Sequence, residues 1–233
     1  MEKSSAIVVG TGGIGSALLQ QVRQSGEHSH VYGFSRKTQP AIDYTHEDSL
    51  LQTALWLKQT IADTQAPLKL IVVATGVLHD EANQPERSWS QLNAQYLQQM
   101  MLVNTIGPAL LVKHFFPLLS KQAAVKVAFL SAKVGSIGDN GLGGWYGYRA
   151  SKAALNQIIK TASIELTRFN ANSCCVALHP GTVDTALSAP FAKKGLLVRP
   201  ASAAAHDLMA VMSGLTPAQT GGFFDYTGQT LPW

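Results

Sequence analysis

The chain has 233 residues, of which 46% are hydrophobic and 14% charged, with a net charge of +4. That length suits one α/β domain, and the low charge suits a sheet covered on both faces. No block of five or more Lys/Arg and no apolar stretch of ~18 residues occurs, so neither nucleic-acid binding nor a membrane span is expected.

Residues 6–9 form a short, β-branched, apolar run of the kind expected for a strand buried on both faces. Met1 to Ser5 run straight into it and leave no room for a signal peptide. Gly10-Thr11-Gly12-Gly13-Ile14-Gly15 follows at once, and Ser16 to Val22 then carries helical periodicity. Strand, glycine turn, helix is the context in which such a loop binds a dinucleotide. The glycines let the backbone turn tightly and approach a pyrophosphate at the positive end of the helix dipole. The same letters fit G-x-G-x-x-G (Gly10, Gly12, Gly15) and G-x-x-G-x-G (Gly10, Gly13, Gly15), and both readings stay open.

The second strand, residues 31–34, ends in Ser35-Arg36-Lys37, where an NAD site would place Asp or Glu on the ribose 2′-hydroxyl. A hydroxyl and two cations suit a 2′-phosphate instead, so NADP(H) is favoured over NAD(H). His28 and His30 sit in a polar turn and read as solvated, and no metal site is apparent.

Further apolar runs at 70–74, 125–131, 173–178 and 222–226 alternate with helix-like segments, which implies a parallel, doubly wound sheet. Ser88 to Leu119 reads as two helices meeting near Met100 to Val103, and Pro190 to Pro200 as the segment best suited to a mobile loop. Cys174 and Cys175, adjacent in an apolar run, read as buried thiols of a reducing compartment, and the chain as cytoplasmic.

Between the fourth and fifth runs stands Tyr148-Arg149-Ala150-Ser151-Lys152. The spacing puts a phenol and an ammonium on one helical face, one turn apart. A tyrosine alone titrates near pH ~10; a fixed positive charge nearby lowers that and makes the phenol a usable acid or base.

With the glycine loop upstream of this pair, the chain from about Ala6 to Trp233 resembles the short-chain dehydrogenase/reductase family. It is most similar to the bacterial C-factor-like branch, through Gly135 to Asn140 and Gly143 to Tyr146. The resemblance implies a single Rossmann-type domain of about seven parallel strands in the order 3-2-1-4-5-6-7. It implies hydride transfer between NADP(H) and a small carbonyl or alcohol, with Asn104, Ser131, Tyr148 and Lys152 as the catalytic set. Cofactor contacts fall to Gly10, Thr11, Gly13, Ile14, Gly15, Ser35, Arg36, Asp43 (after the third strand), Ala74, Thr75, Gly76, Asn104, Tyr148, Lys152, Pro180, Gly181, Val183 and Thr185.

Three departures stand out. The glycine loop has one residue fewer than the family's usual spacing, and Val73-Ala74-Thr75-Gly76 keeps only the last glycine of Asn-Asn-Ala-Gly. The family's Ser-Ser-x-x-Gly falls on Ser131-Ala132-Lys133-Val134-Gly135, so Ala132 takes the place of the serine that orients the substrate carbonyl. Ser131 displaced by one, Ser136, or no hydroxyl at all then fills that role. The resemblance also implies a homodimer or homotetramer. The alternative function is an NADP-binding sensor or signalling protein with little turnover.

Overall fold

The computed structural model describes residues 3–191 and 198–233. In chain order it contains β1 (Ser5–Val9), α1 (Gly13–Ser25), β2 (His30–Phe34), α2 (Glu47–Thr64), β3 (Leu68–Val73), α3 (Ala94–Met101) and α4 (Gly107–Phe115). There follow β4 (Val125–Leu130), α5 (Tyr146–Phe169), β5 (Ser173–His179), the short β6 (Thr182–Val183) and β7 (Val198–Arg199), α6 (Ala201–Gly214) and β8 (Phe223–Asp225). Six strands form one parallel sheet in the order β2-β1-β3-β4-β5-β8, while β6 and β7 pair separately.

The pleat alternates side chains between two cores. Ile7, Val9, Ile71, Val127 and Phe129 face Leu50 and Leu57 of α2, Leu111 and Phe115 of α4, and Leu155 and Ile159 of α5. Ala6, Val8, Val72, Ala128 and Val176 face Leu18 and Val22 of α1 and Leu208 and Met212 of α6. Strands buried on both sides explain why the sequence shows continuous apolar runs instead of alternation. Cys174 and Cys175 lie buried in β5 as free thiols, one on each face.

The sheet has six strands where the family order implies about seven; the strand expected before Asp43 does not form. Residues 35–42 fold back as a compact loop. Thr38 donates its hydroxyl to the Ser35 carbonyl at 2.9 Å, and the Ile42 amide donates to the same oxygen at 3.0 Å. Pro40 has no N–H to offer a ladder. Asp43 therefore lies in a loop, where hydrogen bonds from Thr45 hold its carboxyl below the usual range, and β2 becomes the edge of the sheet.

The two helices expected between Ser88 and Leu119 meet in a π-helical turn, Leu102–Ile106. By length and composition the whole run Ala94–Leu118 could cross a membrane. Here α3 and α4 pack against α5, and α4 also against α2. The loop expected at 190–200 falls largely on residues 192–197, outside the described residues.

Strand order reverses between β1 and β3, since the connection through α1 leads to β2 on one side and that through α2 returns to β3 on the other. A crevice at the carboxyl ends of strands opens where such a sheet switches direction. Gly10, Ser35, Ala74, Ser131 and Pro180 all follow directly on, or one residue beyond, the ends of β1 to β5.

Candidate active site

The backbone decides between the two glycine readings. Gly10 and Gly13 have φ of +90° and +37°, in the region that favours glycine. A Cβ on Gly15 would stand 1.7 Å from the Gly10 carbonyl oxygen, so only glycine lets α1 start so close to the loop. Gly12 has φ of −91° and open space around it. The constrained set is Gly10, Gly13, Gly15. Thr11 lies over Gly33, and Thr185, from the turn after Pro180-Gly181, lies against Gly13. The family's Pro-Gly turn and the glycine loop thus face one another, with Ile14 in the first turn of α1.

The altered 73–76 element closes the floor of the crevice. A Cβ on Gly10 would clash with Thr75, whose hydroxyl pairs with the Tyr44 hydroxyl at 2.9 Å. Tyr44 in turn lies against Gly107 so closely that a side chain there would overlap its ring. The Thr75 side chain is thus engaged in packing and in the bond to Tyr44. At the rim, Arg36 and Lys37 are exposed, and among the described residues neither takes part in an ion pair.

Asn104 sits fully buried in the π turn. Its amide oxygen accepts the Val77 N–H at 2.9 Å, and its amide nitrogen donates to the Val77 carbonyl at 2.9 Å and to the Ser151 hydroxyl at 3.0 Å. The Ser151 hydroxyl in turn donates to the Tyr148 carbonyl at 2.9 Å. Asn104 thereby ties the end of the β3 loop to the second turn of α5. A Cβ on Gly76 would stand 3.5 Å from both Asn104 Oδ1 and Lys152 Nζ, so these three residues meet.

Lys152 is 3% exposed and donates to the Leu130 carbonyl at 2.9 Å. Burial draws its pKa down from 10.5 to about 8. Tyr148 is 8% exposed, and among the described residues its hydroxyl has no hydrogen-bond partner. Burial pushes the phenol well above its ordinary range. The expectation that Lys152 lowers that pKa is not met by the protein alone. Its ammonium stands 6.0 Å from the phenol ring centroid and is turned to Leu130, so desolvation outweighs attraction.

The serine question also takes a definite form. Ser131 is buried, and its hydroxyl donates to Asn156 Oδ1 at 2.6 Å, one helical turn beyond Lys152. Ala132 belongs to the small apolar cluster of Tyr148, Leu78, Tyr96 and Met100. The cause is the pleat: at the end of an extended strand, neighbouring side chains point opposite ways, so a hydroxyl moved by one residue changes face. Ser136 is buried too, accepting the Asp139 N–H at 3.1 Å and contacting the Trp233 carbonyl at 3.3 Å. Among the described residues neither hydroxyl is hydrogen-bonded to Tyr148.

The sequence reading missed Ser151 and Asn156, which look like ordinary helix residues until the partner elements are in place. It also missed Glu86, a buried acid with no motif around it. His28 is not solvated as expected; it is half-buried, with burial lowering its pKa, and contacts Ser4 Oγ at 3.0 Å. Trp145 and Phe191 meet edge to face at 5.2 Å, with Trp145 also edge to face with Tyr148 and His79 against Phe191, so an aromatic cluster adjoins Tyr148.

Comparison with known proteins fits this geometry. The family model described as short chain dehydrogenase matches residues 4–195. The C-signal of Myxococcus xanthus is 36% identical over 131 residues, 56% of this chain and 75% of that protein. The 1-hydroxy-2-glutathionyl-2-methyl-3-butene dehydrogenase of Rhodococcus sp. (strain AD45) is 29% identical over 241 residues, 99% of this chain and all of that one. An NADPH-bound carbonyl reductase from chicken fatty liver superposes with a TM-score of 0.85 at 24% identity, and the carbonyl reductase Sniffer of D. melanogaster with 0.84 at 23%, each over the whole of both chains. At that identity the two structures speak for the fold alone. The family match over most of the chain identifies it: this protein is an oxidoreductase of the short-chain dehydrogenase/reductase family, close to the C-factor-like branch.

Proposed function

We propose that the protein catalyses reversible hydride transfer between NADP(H) and a small carbonyl or alcohol, with Tyr148 as general acid and base. The observation that carries this reading is the meeting of Gly76, Asn104 and Lys152 one helical turn from a phenol without a partner. The residues fit a dinucleotide. Gly10 and Gly15 let the loop, Ala74-Thr75 and the start of α1 approach more closely than any Cβ would allow, which brings the N-terminus of α1 to the loop, and Arg36 stands exposed where a 2′-phosphate belongs. Gly10, Thr11, Gly13, Ile14 and Gly15 would hold the pyrophosphate. Ser35 and Arg36 would take the adenosine phosphate, Asp43 the adenine, and Ala74, Thr75, Gly76, Pro180, Gly181, Val183 and Thr185 the remainder.

Bound NADP(H) supplies the hydride. In reduction, Tyr148 gives its phenol proton to the oxygen as the carbonyl carbon gains that hydride; in oxidation it takes the proton back. The phenol is protonated at neutral pH and so can donate, but burial raises its pKa and weakens it as an acid, an effect the Lys152 ammonium has to offset in the reacting complex. Lys152 and Asn104 hold the path by which the proton is replaced. With Ala132 beside Tyr148 and the Ser131 hydroxyl turned to Asn156, the tyrosine polarises the substrate oxygen alone. The same reading takes the protein as cytoplasmic and paired through its exposed Ile106 and Ile164.

Loss of NADPH absorbance across a panel of aldehydes, ketones and quinones tests the proposal. Turnover that Tyr148→Phe abolishes is expected. NADPH binding without turnover of any compound would instead favour the sensor reading, which the missing serine hydroxyl supports.

A further inference from the structure

Glu86 is 2% exposed, and among the described residues no Lys, Arg or His pairs with it. Both of its carboxylate oxygens lie 3.2 Å from the Gly147 nitrogen and accept that N–H. Its own carbonyl accepts the Trp145 N–H at 2.5 Å. A carboxylate taken out of water needs compensation, and the unpaired N–H groups at the start of α5 provide it. Trp145, at the cap position of that helix, makes no side-chain capping bond. Glu86, 61 residues before Gly147, does what a capping side chain would do locally.

The surrounding turn is built for this contact. Gly143, Gly144 and Trp145 have φ of 65°, 66° and 52°, three left-handed residues in a row. For a tryptophan that conformation costs ~1 kcal/mol, so something must hold it. A Cβ on Gly147 would stand 3.1 Å from Glu86 Oε1, and one on Gly144 3.3 Å from the Glu86 carbonyl. Arg149 holds the turn from its other side, donating to the carbonyls of Gly144 at 3.0 Å, Val134 at 3.2 Å and Gly143 at 3.2 Å. Tyr148 is the third residue of the helix that begins here, and the Trp145 ring lies 6.2 Å from its phenol ring.

We propose that Glu86 is a positioning residue for Tyr148: by capping α5 from the β3–α3 connection, it fixes where the phenol stands relative to Lys152 and the substrate oxygen. The inference rests on the reading of Tyr148 as the proton donor. Glu86 touches no reacting atom, and its effect is carried through the backbone of residues 145–148.

The test compares wild type, Glu86→Ala, Glu86→Gln and Tyr148→Phe, with NADPH and 9,10-phenanthrenequinone as the carbonyl probe. A displacement near 1 Å at a reacting group costs on the order of 100-fold, so Glu86→Ala should lose ~10- to 100-fold in kcat. Its NADPH affinity, read by fluorescence titration, should stay within about twofold because the glycine loop is untouched. Amide exchange should speed up in residues 145–149 and not in 155–169. Glutamine keeps an oxygen acceptor for the Gly147 N–H, so Glu86→Gln should restore both kcat and protection. Should the alanine variant fail to fold, Glu86→Asp, one methylene short of the contact, takes its place.

Wild-type kcat or undisturbed exchange in Glu86→Ala would overturn the proposal, as would a glutamine variant as damaged as the alanine one. Tyr148→Phe separates the two readings. Turnover retained there removes the proton-donor assignment, whereas turnover lost there but kept in Glu86→Ala removes only the role of Glu86. If the quinone is not reduced, the exchange pattern and the glutamine rescue decide.

Discussion

Lys152→Met is expected to make the cofactor-free protein more stable while destroying its activity. The ammonium is 3% exposed and has one hydrogen bond, to Leu130. Its pKa falls from 10.5 in the unfolded chain to about 8 in the fold. A tenfold change in proton affinity is worth ~1.4 kcal/mol, so keeping this lysine charged at pH 7 costs the fold about 3 kcal/mol. Methionine fills similar volume without the charge, and the carbonyl it leaves with one donor fewer takes back ~1 kcal/mol. The net gain of about 2 kcal/mol corresponds to a rise of ~4–8 °C in Tm for a chain of this length. Below pH 8 both folded and unfolded wild type hold the proton, and the penalty is present in full. Between 8 and 10.5 the unfolded chain binds more protons than the folded one, so wild-type stability climbs with pH and the advantage of methionine shrinks. Thermal melts of both proteins freed of nucleotide, at pH 7, 9 and 10, measure this directly. A methionine variant less stable than wild type at pH 7, or a gap unchanged at pH 10, would refute the assignment of Lys152 as a strained buried cation.

Three other outcomes follow from named contacts. Arg36→Ala should weaken NADPH binding by about 10- to 100-fold and leave NADH unchanged, read by fluorescence titration; equal loss for both would remove Arg36 from the 2′-phosphate site. Gly15→Ala, with its Cβ 1.7 Å from the Gly10 oxygen, should abolish nucleotide binding and lower Tm, whereas Gly12→Ala, with nothing within 4 Å, should shift Tm by no more than a few degrees. Ala132→Ser should raise kcat by ~10-fold, since a donor to the developing oxyanion is worth 10²-fold or more where it is fully preorganised. An unchanged kcat would show that the reaction does not use that position.

The parallel sheet was readable because strands buried on both faces leave apolar runs that few other structures produce: all six runs became strands of one sheet. The edge was not readable. The family order supplied a strand before Asp43 that this chain replaces with a tight loop, and the signals for it, Ser35, Thr38 and Pro40, are ordinary turn residues whose joint effect appears only through the shared Ser35 carbonyl. The π turn around Asn104 was equally hidden. A single extra residue per turn does not disturb a hydrophobic pattern, though it turns the Asn104 amide onto Val77 and Ser151.

The site divides along the same line. Tyr148, Lys152 and the glycines were legible because their chemistry depends on spacing within one segment. What aims them was not, because it comes from elsewhere in the chain: Asn104 reaches Ser151 across 47 residues, Ser131 reaches Asn156 across 25, and Glu86 reaches Gly147 across 61. The place of the Ser131 hydroxyl is set in the same way, by a partner on another element. One position along a sequence is a small displacement, but in an extended segment it turns the side chain to the other face, and the Ser131 hydroxyl is bonded to Asn156, two turns along α5 from Tyr148. The three contacts all end on α5, between Gly147 and Asn156. A helix held at its cap, its second turn and its third by separate parts of the fold can keep a buried cation and a partnerless phenol side by side. That is the arrangement the Lys152→Met and Glu86→Ala variants would loosen in opposite senses, one by relieving the strain and the other by removing the restraint.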